Sequence, residues 1–499
     1  MKWVLYNLLF AAIYPFLLPG FLIRMMKRGG YAARMGDRFA MYPEGVLAKL
    51  IPGGVPVCGH ASGARGQAGS GNSGFVWIHA VSVGEVQVAG QLMREWRKVE
   101  PSVRFCFSTT SSTGWKIAET ELEKSGGDGG DVLIYNPLDF PNFVKSAFKT
   151  VRPRAVVLTE SEIWPNFILR AKKSGVPLFL VNARVSDRSA PRYRFARFFF
   201  KDVFGAFTGI FAQSDLDASR IRAAMRHEDA GKIVVTGSFK FDVAKRNEAK
   251  EKELSEWIFG KELKAQVEVE ERKGKLKTQV EVEERKVKIL LGGSTWPGED
   301  KVLLDVYKSI LQLQLHTSTL LVLAPRHFEK ADEVEANIRA AGFACIRRSR
   351  GESFGSRSSA SSLPPVYLCD TTGEMMGLFG ICDVAFVGKS LCAHGSQNMI
   401  EPCLCGKPTF VGPFTENFRP VMSDLLAANA IVQVKDAEEL KERIVGLFDE
   451  AEISGSPRGG LEPSAANDIG TLGERAQAAV MNRRGVVPRC VQSIREALA

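Results

Sequence analysis

The 499 residues are too many for one ordinary core, so two to three domains are expected. With 45% hydrophobic and 24% charged residues the chain reads as globular, which excludes a disordered protein. A net charge of +10 asks for an anionic partner (nucleic acid, an acidic membrane surface or a phosphorylated substrate), and composition does not choose among them.

The first segment narrows that choice. Residues 3–23 (WVLYNLLFAAIYPFLLPGFLI) carry no charge and are followed by Arg24, Lys27, Arg28, Arg34 and Arg38. The run has about the length that crosses a hydrocarbon core as a helix. Its basic flank lies behind it, which leaves the rest of the chain in the cytoplasm. Pro15 and Pro19 interrupt a straight helix, so an anchor lying in the interface stands beside a full span. A cleaved signal peptide fits less well, because the basic flank is on the wrong side. Residues 1–30 are therefore the expected membrane anchor. The nine cysteines are scattered without a CxxC pair, and Cys403 and Cys405 have the wrong spacing for zinc or redox work. They point to reduced thiols in the cytosol.

Strand and helix patterns alternate after the anchor. Apolar runs predict strands at 75–81, 103–108, 131–135, 154–159, 176–181, 209–213 and 232–236, with helices at 86–98, 114–124, 139–149 and 164–174. A second series has strands at 287–292, 319–323, 343–346, 384–387, 408–411 and 431–434. This alternation is the signature of parallel sheets with crossover helices, and two Rossmann-like halves are the simplest architecture. The expected domains are 31–244 and 288–499. Residues 245–287 between them are dense in Lys and Glu, and QVEVEERK occurs at 266–273 and again at 279–286, which reads as an insert or charged linker. Residues 58–74 and 350–362 are Gly/Ser-rich loops.

Six clusters fall at strand ends or helix starts: SVGE (82–85), TESEIWPN (159–166), TGSFKFD (236–242), APRHFEK (324–330), DTTGEMMG (370–377) and GKSLCAHGSQNMIEP (388–402). In open α/β sheets that edge is where ligands bind. Each cluster also has a plain reading. Glu85, for one, suits the positive end of the helix dipole, and from its own residues the structural reading comes first. No P-loop, GxGxxG or GxSxG is present. The single DxD, Asp215-Leu216-Asp217, reads as a helix cap, and the six histidines have no metal-ligand spacing. The stretch 183–202 mixes Arg184, Arg188, Arg192, Arg194, Arg197 and Lys201 with four phenylalanines. It suits lipid phosphates and acyl chains, and equally an amphipathic helix with a solvated basic face.

Taken in order, SVGE, TESEIWPN, NARVSDRS, TGSFKFD, APRHFE, DTTGEM and FVGKSL…QNMIEP resemble the motifs of the bacterial Kdo transferases. These membrane-anchored enzymes move 3-deoxy-D-manno-octulosonic acid (Kdo) from its CMP ester to the lipid A precursor. The likeness runs from the anchor to about residue 440, omitting the three inserts. It implies an α/β GT-B fold, two Rossmann-like domains facing a cleft, and an inverting transfer without metal or cofactor. The implied location is the cytoplasmic side of the inner membrane. The implied partners are CMP-Kdo, the lipid A precursor and inner-membrane lipids, with no nucleic acid. Carried onto this chain, the resemblance makes Glu85 the general base, and Glu160 and Lys240 supports of the transition state. CMP contacts fall on Pro325 and Arg326, on Thr372, Gly373 and Glu374, and on Asn398, Met399, Ile400 and Glu401. Arg184, Arg188 and Arg192 are candidates for the lipid acceptor. The chain departs from the family pattern at Lys389, where a glycine is frequent, and at Gly395-Ser396, where two glycines are common. A GT-B transferase using another nucleotide sugar on a lipid, or a non-catalytic basic scaffold, are the alternatives.

Overall fold

The computed structural model describes residues 2–28, 32–51, 74–127, 129–260, 287–313, 318–353, 363–453 and 469–499. The stretches 58–73, 261–286 and 354–362 of the three inserts lie outside the described residues. The chain forms two compact units, Met1–Val243 with Gly485–Ala499, and Ala244–Arg484.

The first unit carries seven strands: β1 (Phe75–His79), β2 (Phe105–Thr109), β3 (Val132–Tyr135), β4 (Pro153–Thr159), β5 (Leu178–Ala183), β6 (Gly209–Ala212) and β7 (Ile233–Val235). They form one sheet in the order β3-β2-β1-β4-β5-β6-β7, and every pair is parallel. Helices cover both faces, so the strands are apolar throughout rather than alternating. In β1, Phe75 and Trp77 enter one core while Val76 and Ile78 enter the other, as the period of two requires.

The second unit repeats this plan with β8 (Val287–Thr295), β9 (Ser318–Pro325), β10 (Cys345–Arg347), β11 (Val366–Leu368), β12 (Val384–Val387), β13 (Thr409–Val411) and β14 (Val432–Gln433). Its order is β10-β11-β9-β8-β12-β13-β14, again all parallel. In each sheet the winding reverses beside the first strand. The crevices that follow lie at β1/β4 and at β8/β12, beyond the carboxyl ends of those strands.

Two boundaries differ from the sequence-based division. Residues 485–499 join the first unit rather than the second: Asp242 accepts hydrogen bonds from Gly485 N (2.6 Å) and Val487 N (2.7 Å), and Val487, Cys490, Val491 and Ile494 enter the core beside Trp96. Residues 248–259, assigned from sequence to the linker, form a helix whose Leu254, Trp257 and Ile258 are buried in the second unit.

Helix α1 (Lys2–Arg28) runs through both prolines. Among the described residues no helix is long and apolar enough to cross a membrane, so the expected span gains no support. The run carries Tyr6, Asn7 and Tyr14 among its apolar residues. Two of these are used on the fold: the Tyr6 hydroxyl donates to Asp139 Oδ2 (3.2 Å), and Asn166 Nδ2 donates to Asn7 Oδ1 (2.8 Å). The Trp3 and Phe10 rings meet Phe199 and Phe140 at 4.6 and 5.0 Å. Val4, Leu5, Leu8, Leu9, Ile13 and Phe16 remain exposed.

Candidate active site

Glu85 stands at the β1/β4 crevice. Ser82 caps the helix Val83–Val99, its Oγ accepting from Glu85 N (3.2 Å), so the SVGE turn is a genuine capping arrangement. The carboxylate is only 8% exposed. Its Oε2 accepts from Val81 N (3.0 Å) and lies 3.2 Å from Thr159 Oγ1, and its Oε1 accepts from Ser82 Oγ (2.9 Å). Burial raises the carboxyl above its ordinary value, and the charges of Glu162 and Glu160 add to this. The hydrogen bonds from Val81 and Ser82 act the other way without cancelling it. The residue that binds the Ser82 cap is thus also a buried carboxyl held above its ordinary value.

Glu160 follows the end of β4, on the other side of that crevice, with a left-handed φ of +49°. Burial raises its carboxyl too, while Lys240, Arg184 and a hydrogen bond from Asn182 Nδ2 (3.1 Å) pull it back. Lys240 opens the short helix Lys240–Val243 after β7. Burial lowers its ammonium, Glu160 raises it, and Arg184 lowers it further. Asn182 ties these parts together, since its Oδ1 accepts from Phe239 N (3.0 Å), immediately before Lys240. The structure therefore brings together Glu85, Glu160, Lys240 and Arg184. Arg188 and Arg192 are exposed, and among the described residues no ion pair joins them to these carboxylates.

Two residues of this group were not singled out from sequence. Asn182 opens the NARVSDRS motif but was given no role there. Glu162 does lie in TESEIWPN, and its Oε2 accepts from Trp164 Nε1 (2.8 Å) and stands 3.7 Å from Nε2 of the fully buried His79. That nitrogen has no hydrogen-bond partner, while Nδ1 is 3.0 Å from Ser108 Oγ.

The second unit carries the other predicted residues. Pro325 ends β9, and Arg326 follows it, exposed, with its N–H donating to Thr295 O (3.0 Å). Asn398 Nδ2 donates to Glu401 Oε1 (2.9 Å), and burial raises the Glu401 carboxyl despite that bond. Met399 and Ile400 are fully buried, so of the four residues 398–401 only the first and last offer polar side chains. Thr372 and Gly373 are exposed on the turn before the helix Met375–Ile381. Glu374 is buried and already engaged, accepting from Arg348 Nε (3.2 Å) and Cys369 Sγ (3.0 Å). Burial alone would raise it, but those bonds outweigh burial and hold it below its ordinary value. At the β8/β12 crevice, Glu299 is 0% exposed and accepts five backbone N–H bonds, from Trp296, Lys389, Ser390, Leu391 and Cys392 (2.7–3.3 Å). This was not legible from sequence, because four of the five partners lie about 90 residues away. Among the described residues no group of three or more His, Cys, Asp or Glu side chains is placed to hold a metal ion.

A family model described as 3-Deoxy-D-manno-octulosonic-acid transferase (kdotransferase) matches residues 34–243. A 3-deoxy-D-manno-octulosonic acid transferase of Bordetella pertussis is 32% identical over 379 residues, covering 75% of this chain and 79% of that protein. One of Haemophilus influenzae is 28% identical over 372 residues, covering 74% and 78%. A solved structure of Anabaena HepE in complex with UDP aligns with a TM-score of 0.50 at 14% identity, over 85% of this chain and 99% of that one. That likeness, with two all-parallel sheets, shows the GT-B fold and nothing finer. The relatives carry the identity: the chain belongs to the Kdo transferase family, glycosyltransferases that act in lipopolysaccharide biosynthesis.

Proposed function

We propose that this chain transfers Kdo from CMP-Kdo to the lipid A precursor, with Glu85 as general base, at the cytoplasmic face of the inner membrane. The observation that carries the reading is the buried Glu85 carboxylate at the β1/β4 crevice, raised toward working pH and flanked by Glu160 and Lys240. Glu85 takes the proton of an acceptor hydroxyl as that oxygen attacks the anomeric carbon. The new C–O bond forms while the bond from that carbon to the CMP phosphate oxygen breaks, and CMP departs with the electron pair. Attack opposite the leaving group inverts the centre. A buried carboxylate such as Glu160 stabilises positive charge developing on the sugar, and Lys240 balances the donor's negative charge.

Arg326, Asn398 and Glu401 would hold CMP, with Arg326 matched to anionic oxygens and Glu401 to a ribose diol. One departing phosphate asks for little charge neutralisation, which supports transfer without a metal ion. The exposed apolar residues of α1, together with Phe195, Phe198, Arg188 and Arg192, support attachment along a membrane surface. The test is transfer from CMP-Kdo, generated in situ, to the tetraacylated lipid A precursor in detergent with EDTA present, read by mass spectrometry. Product is expected with the native chain and none with folded Glu85→Ala. Absence of product from intact native protein, beside a working control enzyme, would overturn the donor or acceptor assignment.

A further inference from the structure

We infer that Lys389, at the carboxyl end of β12, grips the phosphate of the nucleotide through its ammonium group. The inference rests on the donor reading above and adds to it a residue that the family pattern does not supply.

Lys389 has a φ of +58°, a backbone region that L side chains rarely adopt and glycine enters freely. The backbone is pinned there from both sides: Lys389 N donates to Glu299 Oε2 (2.8 Å), and Lys389 O accepts from Ser396 N (2.7 Å). A glycine would meet the same demands without strain, so the side chain needs a use of its own. It is half-buried, with its ammonium 5.0 Å from the centroid of the Trp296 ring. Trp296 follows β8, so lysine and tryptophan straddle the crevice where the winding of this sheet reverses.

The carboxylate oxygens near that point are engaged by groups other than the Lys389 ammonium. Glu299, which holds the Lys389 backbone, has its oxygens taken by five N–H donors. Asp300 accepts from Gly298 N (3.1 Å) and Asn337 Nδ2 (2.7 Å). Glu329 and Glu416 stand against His327 (3.1 Å) and His394 (2.8 Å). Among the described residues neither Lys389 nor Arg326 has an ion-pair partner. The Trp296 ring lies between them in the sheet order, 4.7 Å from the His327 ring that follows Arg326. Two cations without an ion-pair partner, on either side of an aromatic ring in the sheet order, suit one anionic group, and an ammonium leaving a ring for phosphate oxygens gains a charge-assisted hydrogen bond.

The experiment titrates the full chain with CMP and with cytidine by calorimetry, for the native protein, Lys389→Gly and Lys389→Arg. Lys389→Gly is expected to weaken CMP about tenfold, leave cytidine unchanged and flatten the salt dependence of CMP binding. It should melt no lower than the native chain, because glycine relieves the backbone. Lys389→Arg should restore much of the CMP affinity. Equal CMP affinity in native and Lys389→Gly proteins would overturn the inference while leaving the donor reading intact. A native chain that ignores CMP, yet binds another nucleoside phosphate with the same dependence on Lys389, would overturn the donor reading and support the inference.

Discussion

Both units carry a glutamate at the turn from their first strand into their first long helix, Glu85 after β1 and Glu299 after β8, and the two have opposite fates. Glu299 is saturated by five backbone N–H groups that fasten the 388–392 loop to the sheet. Glu85 has one backbone N–H and two hydroxyls, is also buried, and sits among other carboxylates. Burial with a full set of fixed donors makes a carboxylate structural. Burial with few donors and like-charged neighbours leaves it able to take a proton.

The sharpest way to break that comparison is to remove both. Glu299→Ala orphans five backbone donors, most of them part-buried, and should cost about 3 kcal/mol, read as an early unfolding transition of the second unit in urea. If it melts like the native chain, Glu299 is not the structural member of the pair. Glu85→Gln should leave the urea transitions within about 1 kcal/mol of native, yet lower kcat for Kdo transfer about 10²–10⁴-fold. Equal activity would keep the family assignment and remove Glu85 from the chemistry.

The first unit has another buried carboxylate, Asp139, whose carboxyl burial pushes up to about 7 although it takes three hydrogen bonds, so its role is tested separately. Asp139 caps the helix Pro165–Lys173, accepting from Phe167 N (2.8 Å) and Asn166 N (3.0 Å), and receives Tyr6 of α1. Asp139→Ala should destabilise by about 2 kcal/mol, and Tyr6→Phe by about 1 kcal/mol, both without a comparable loss of kcat per folded molecule. Loss of activity in Tyr6→Phe with unchanged stability would mean that α1 does more than dock.

The sheets were legible because a strand covered on both faces is a short apolar run, and VVL of β4 or ILL of β8 can hardly be anything else. β11 was missed because its three residues, VYL, are too few to show a period. The return of residues 485–499 to the first unit was not legible, since it depends on Asp242 reaching two N–H groups about 240 residues away. At the site, the strand-end positions of Glu85, Glu160 and Lys240 are visible in sequence, whereas the roles expected of them came from the family resemblance and not from spacing. Asn182 and Glu299 act through backbone N–H groups or side chains of distant segments, which sequence does not show. The apolar run of α1 was read by length, whereas its polar residues proved to be spent on Asp139 and Asn166.

The smallest expected effect bears most directly on why Glu85 differs from Glu299. Glu162 is the charge that, after burial, does most to raise the Glu85 carboxyl. Glu162→Gln keeps an oxygen to accept from Trp164 but deletes the charge, so the anionic form of Glu85 becomes easier to reach and its pKa falls. A base must be unprotonated to act, so the acidic limb of the kcat/KM profile should move to lower pH, while the plateau changes little. Lys240→Met gives the opposite sign through another carboxylate. It removes the cation that holds Glu160 down, so Glu160 should protonate at higher pH than in the native chain. A Glu162→Gln limb that stays in place would show that burial alone sets Glu85, and the difference between the two glutamates would then rest on donor count and not on the carboxylates around them.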